Sequence, residues 1–115
     1  MENCIFCKIT QKKLPSDVLF ETDKMMVIAD INPKAPHHFL IISKGHIETV
    51  NDLTEENKDL IAEMILVAKD MAHRMGIEKG YKLVFNVGRP GGQVIFHLHL
   101  HLLGGWHQET HEVHI

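Results

Sequence analysis

The chain has 115 residues, 44% of them hydrophobic and 23% charged, with a formal charge of −3. That length supports one domain, which can bury roughly two thirds of its unfolded surface, and the apolar fraction excludes a disordered chain. A membrane span is excluded because no apolar run approaches ~18 residues, and a nucleic-acid backbone binder is excluded because the charge lacks a basic stripe. Met1-Glu2-Asn3-Cys4 has neither the basic start nor the apolar stretch of a secretory signal, so the cytoplasm is the expected compartment. Histidine stands out, with ten copies beside one Trp and one Tyr.

Cys4 and Cys7 open the chain in Cys-x-x-Cys spacing. A disulfide framework has more bridges and a secretory context, and a redox pair would sit between a strand and a helix. Half of a zinc site, or two plain thiols in a partly buried turn, remain. Residues 18–21 and 25–29 are β-like runs separated by Thr22-Asp23-Lys24, a hairpin turn. The segment from Ile31 to Pro36 carries two prolines and reads as a loop, and residues 37–42 form a third strand.

Residues 53–75 hold the longest periodic segment. Leu60, Ile61, Met64, Ile65, Ala68, Met71, Ala72 and Met75 recur at three- and four-residue steps, as on one face of a helix. Thr54 suits its N-cap, Glu55 and Glu56 its first turn, and Gly76 its stop. Residues 81–87 form a fourth strand, Gly88-Arg89-Pro90-Gly91-Gly92 turns the chain, and residues 94–103 form a fifth that ends at Gly104-Gly105. Together these predict an α+β fold: an antiparallel five-stranded sheet, one long amphipathic helix, and a short N-terminal helix or turn. The domain is expected to span residues 1–115, with 106–115 as an extended tail.

The fifth strand carries the chemistry. In His97-Leu98-His99-Leu100-His101-Leu102-Leu103 the histidines alternate with leucines, so all three imidazoles face one side and the leucines face the helix. Imidazole can act there as nucleophile, acid–base or metal ligand. Gly88, Gly91 and Gly92 in the preceding loop would let backbone N–H groups approach a phosphate, or simply make a hairpin turn.

This strand resembles the signature of the histidine-triad nucleotide hydrolases and transferases. The resemblance extends through Cys4-Ile5-Phe6-Cys7-Lys8-Ile9, the run from Asp30 to Pro36, and Gly104-Gly105. It is nearest to the Hint branch of nucleoside phosphoramidases, in its bacterial form. The resemblance implies that His99 is the nucleophile attacking an α-phosphorus and that His101 hydrogen-bonds a phosphate oxygen, with His97 and His38 in support. It further implies that Asp30 takes the ribose hydroxyls and that Ile5, Phe6, Ile9, Ile28 and Ile31 sandwich a purine. Asn86, Gln93 and the backbone of Val94 would receive the phosphate. Val94 departs from the serine common at its position, and the tail departs from the eukaryotic ending, which leaves the leaving group open.

The same resemblance assigns Cys4, Cys7, His46 and His97 to a structural zinc. Two thiolates and two imidazoles close a tetrahedral site, so no catalytic metal is expected. The implied substrate is a purine nucleotide of AMP or GMP type, and the implied assembly is a homodimer. Hydrolysis of dinucleoside polyphosphates and a non-catalytic metal- or nucleotide-binding module are the alternatives.

Overall fold

The computed structural model describes residues 3–107; the expectations for residues 108–115 of the tail lie outside the described residues. A short helix α1 (Ile5–Thr10) precedes the hairpin β1 (Val18–Glu21) and β2 (Met25–Ala29), then β3 (His37–Ser43). The long helix α2 (Lys58–Arg74) follows, and β4 (Tyr81–Val84) and β5 (His99–Gly104) complete the chain. All neighbouring strands are antiparallel, in the order β1-β2-β3-β5-β4. This is the predicted α+β architecture.

Period-two alternation divides the sheet into two faces. Val27, Phe39, Ile41, Leu98, Leu100 and Leu102 pack with Met64, Ala68, Met71 and Ala72 of α2. On the opposite face Met26, Ile28, Leu40 and Ile42 pack under Phe6 of α1. Strands β2 and β3 read as unbroken apolar runs because both of their faces are covered. Helix α1 covers part of this face, and a cleft lined from β3, β5 and β4 opens beside it.

Several boundaries differ from expectation. Thr54 caps a 3-10 turn (Glu55–Asn57) through a capping box with Asn57, so α2 starts at Lys58. Ile65 of the apolar stripe is 43% exposed. Strand β4 stops at Val84 rather than at residue 87, and β5 starts at His99 rather than at residue 94. The cause is a competing set of hydrogen bonds: Leu98 N–H donates to Ile47 O, and the Gln93 side chain ties its loop to Glu48 and Ile95. Leu98 O still accepts from Ser43 N–H at the end of β3, and residues 94–97 cross toward the β3–α2 connection instead of extending the ladder. The hairpin turn is as expected, with Thr22 Oγ1 accepting from Lys24 and Met25 N–H.

Candidate active site and metal centre

The alternation of histidine with leucine survives the late start of β5. His97, His99 and His101 lie on the α1 side, and Leu98, Leu100 and Leu102 belong to the helix-side core. A cleft of about 710 Å³ opens over β5 and β4, and Phe6, Asp30, His38, His99, His101 and Val94 are among its lining residues.

The hydrogen bonds decide where each imidazole keeps its proton. A carbonyl only accepts, so the 2.6 Å contact of His99 Nδ1 with His97 O places the proton on Nδ1. Nε2 of His99 then keeps its lone pair and makes no hydrogen bond to a described residue. An amide N–H only donates, so Lys34 N–H, 3.0 Å from His38 Nδ1, leaves the His38 proton on Nε2. That Nε2–H donates to His101 Nδ1 at 2.9 Å, with Asp30 Oδ2 3.5 Å away on the same nitrogen. The proton of His101 is consequently on Nε2. Two adjacent rings, 4.9 Å apart between centroids, thus offer the cleft one lone pair and one N–H donor.

Burial reinforces the neutral state of all three rings. Desolvation lowers the pKa values of His38 and His99, and it lowers that of His101 to about 4 with further contributions from neighbouring His99 and His38. An imidazole held neutral keeps its lone pair near neutral pH, which is the requirement for a nucleophile.

The glycine-rich loop behaves differently from expectation. The N–H groups of Gly91 and Gln93 donate to Gly88 O, that of Gly92 to Arg89 O, and that of Gly88 to Gln93 Oε1. Gln93 is buried and fully engaged as a brace of the loop, so its side chain is not offered to a phosphate. Val94, by contrast, lies 84% exposed at the cleft, and its N–H has no partner among the described residues. Asn86 borders the cleft and donates Nδ2–H to Gly91 O.

The expected purine contacts are placed unevenly. Phe6 borders the cleft edge-on to His99, with centroids 5.1 Å apart. Ile28 is core beneath it, and Ile9 packs partly buried against the same cluster. Ile5 and Ile31 are 46% and 89% exposed, and neither borders the cleft. Asp30 borders the cleft, and its Oδ1 accepts from Asn32 N–H at 2.8 Å, an Asx turn that leaves Oδ2 directed at His38. Sequence reading missed Lys34, Lys82 and Trp106, which also line the cleft. The period-two pattern could have found Lys82, because its position pairs with Leu103 on the histidine face.

Behind the cleft, His97 belongs to a second group. Its Nε2–H donates to Ser43 O at 2.6 Å, which frees Nδ1 as an acceptor. That Nδ1 lies 3.2 Å from Cys4 Sγ, 3.5 Å from Cys7 Sγ and 3.3 Å from His46 Nδ1, while Cys7 Sγ is 3.2 Å from His46 Nδ1. All four donor atoms lie within 4.8 Å of one another. Zinc bonds of ~2.3 Å to sulfur and ~2.0–2.1 Å to nitrogen imply tetrahedral edges of about 3.3–3.8 Å, so this donor set fits that ion. The carbonyl that fixes the tautomer of His97 is the expected outer support of a metal-bound imidazole. Burial and the neighbouring Cys4 push the Cys7 thiol up to about 11, a cost that a bound cation would reverse.

A second group, Asp30, His38 and His101, also clusters within 4.8 Å. Within it, His38 Nε2–H already donates to His101 Nδ1.

Known proteins resemble this chain in sequence and in fold. Residues 3–114 match the family described as "Scavenger mRNA decapping enzyme C-term binding". The purine nucleoside phosphoramidase of Escherichia coli (strain K12) is 45% identical over 105 residues, covering 90% of this chain and 88% of that protein. A HIT (histidine-triad) family hydrolase from Legionella pneumophila Philadelphia 1 superposes with a TM-score of 0.90 at 48% identity, covering 94% of this chain and 96% of that one. A zinc-bound histidine-triad family protein from Mycobacterium smegmatis gives 0.81 at 26% identity, covering 94% of this chain and 78% of that one.

Proposed function

This chain belongs to the histidine-triad family of nucleotide hydrolases, and from that premise we propose that it cleaves the P–N bond of purine nucleoside phosphoramidates. The observation that carries the reading is the unpaired lone pair of His99 Nε2 beside the Nε2–H of His101 and the free N–H of Val94. Nε2 of His99 attacks the α-phosphorus and displaces the amine, giving a nucleotidyl-histidine. The phosphoryl oxygens, as charge develops on them, receive the His101 Nε2–H and the Val94 N–H. The departing amine takes its proton from a water molecule, since neutral His101 would be left an imidazolate if it gave up its Nε2–H; His38 and Asp30 hold His101 as a hydrogen-bond donor. The hydroxide of that water adds to phosphorus, breaks the P–Nε2 bond, releases the nucleoside monophosphate and restores the neutral ring of His99, whose Nδ1–H stays on the His97 carbonyl throughout. His97 supports the reaction through its carbonyl, which holds His99 in the reactive tautomer.

In this reading Asp30 and Phe6 take the ribose and purine, and Asn86 holds the loop that presents Val94. Ile9 and Ile28 support Phe6 from below, and Ile5 and Ile31 are solvent-side residues that would meet the base on its outer edge. Gln93 serves as a structural brace. Zinc is the proposed ion at Cys4, Cys7, His46 and His97, where it would pin α1 to the start of β5 and take no part in bond cleavage. The domain, residues 1–115, is proposed to act as a cytoplasmic homodimer.

The test is a His99→Ala variant assayed on adenosine phosphoramidate. Removal of a nucleophile should lower kcat by more than the ~10²–10⁴-fold of ordinary acid–base groups, and turnover within about tenfold of the parent would overturn the assignment. Parallel assays on diadenosine polyphosphates should show lower kcat/KM than the phosphoramidate. The opposite order would favour the polyphosphate hydrolase.

A further inference from the structure

The cleft extends past the histidines, toward strand β4. Since β5 lies between β3 and β4, His99 and His101 separate two ends of the cleft. Phe6 and Asp30 belong to the β2–β3 end, where the nucleoside is proposed to sit. An amine displaced from the α-phosphorus in line with His99 must occupy space that the nucleoside does not, and the β4 end provides it.

That end has a definite chemical character. Val84 and Leu103 form an apolar floor, and Trp106 and Lys82 complete the lining. Lys82 Nζ lies 5.0 Å from the centre of the Trp106 ring, within cation–π range. No carboxylate of a described residue lies within 4.0 Å of Lys82, as holds also for Lys34 of the same cleft lining. The half-buried side chain of Lys82 therefore presents positive charge to the cleft, with no counter-ion among the described residues.

We infer that Lys82 makes this end of the cleft select leaving groups that carry an anion a few bonds beyond the scissile nitrogen, such as amines bearing a carboxylate, and disfavour cationic ones. Val84 and Leu103 take the intervening methylenes, and Lys82 meets the carboxylate. This deepens the proposed function and rests on it, so the test separates the two.

Three adenosine 5′-phosphoramidates of matched length serve as probes, made from β-alanine, propylamine and 1,3-diaminopropane. For the parent the expected kcat/KM order is anionic, neutral, cationic, with about fivefold between neighbours, as for one charge pair in contact near water. Intrinsic differences in leaving-group reactivity cancel when variants are compared on the same three compounds. Lys82→Gln should bring the ratios close to the intrinsic reactivity order, Lys82→Glu should reverse the charge preference, and raised salt should weaken it in the parent. Both substitutions are at a half-exposed site, and thermal melts check that each variant is folded. The dissociation constants of the same compounds for His99→Ala protein and its Lys82→Gln derivative read the preference without chemistry. Charge-ordered binding without any parent turnover would sink the P–N reading and leave the subsite standing. Turnover and binding whose charge dependence is the same in the parent, Lys82→Gln and Lys82→Glu proteins would overturn the subsite. Failure of all three compounds to bind would overturn both.

Discussion

A neutral imidazole carries one proton, and its position decides what the ring can do. His99, His38 and His97 each have one nitrogen committed to a backbone carbonyl or amide, so their tautomers follow from groups that cannot change role. His101 is set at one remove, through His38. Burial keeps His101 neutral, with its pKa near 4, while His99, His38 and Lys34 oppose its protonation and Asp30 favours it. The pH profile of kcat/KM should accordingly run flat through the usual histidine range near 6.5 and fall only below about pH 5. A break near 6.5 would contradict the depressed value. Stability carries the same signature. The unfolded chain protonates this ring near 6.5 and the folded chain near 4, so the unfolded state binds the extra proton in between. The melting temperature should fall as pH drops across that window and stop responding to this group below it.

Helix α1 has six residues, too few to persist alone, so tertiary anchors must hold it over the sheet. Phe6 is one anchor, buried at 4% exposure, and the cysteines are the other. A Cys7→Ser variant should lose the approximately one zinc per chain expected of the parent and melt at lower temperature, since metal binding contributes directly to folding. Its turnover, where the fold is retained, should stay within about tenfold, because the His97 carbonyl that orients His99 belongs to the backbone. Abolished turnover that zinc restores would instead indicate a metallohydrolase.

These elements also show what was legible in the sequence. The alternation of histidine and leucine fixed which residues share a face, and the three- and four-residue periodicity located α2, because both depend on local geometry. The early end of β4 and the late start of β5 depend on Gln93 reaching Glu48, 45 residues away, which no local pattern contains. The same brace removed Gln93 and most loop N–H groups from the candidate phosphate site. Cys4, Cys7, His46 and His97 were associated through family resemblance, and the fold does bring their donor atoms together. Alternation along β4 puts Lys82 and Val84 on one face, but which face that is follows only from the pairing of Lys82 with Leu103 and of Val84 with His101.

The described sheet ends at β1 and β4, with Val18, Phe20 and Leu83 exposed along those edges. Unpaired edges with apolar side chains favour pairing between chains, and a domain of this size gains from added burial. Light scattering at micromolar concentration should give about twice the 13.1 kDa chain mass, and a value near one chain mass would contradict the homodimer. The sheet face positions His99, the His97 carbonyl sets its tautomer, and its Nε2 meets no hydrogen-bond partner among the described residues. The direct measurement is intact mass after acid quench within a single turnover of adenosine phosphoramidate. A transient gain of one adenylyl group, mapped to His99 and absent from His99→Ala protein, is the predicted result. Full turnover with no adduct at any quench time, or an adduct on another residue, would contradict it.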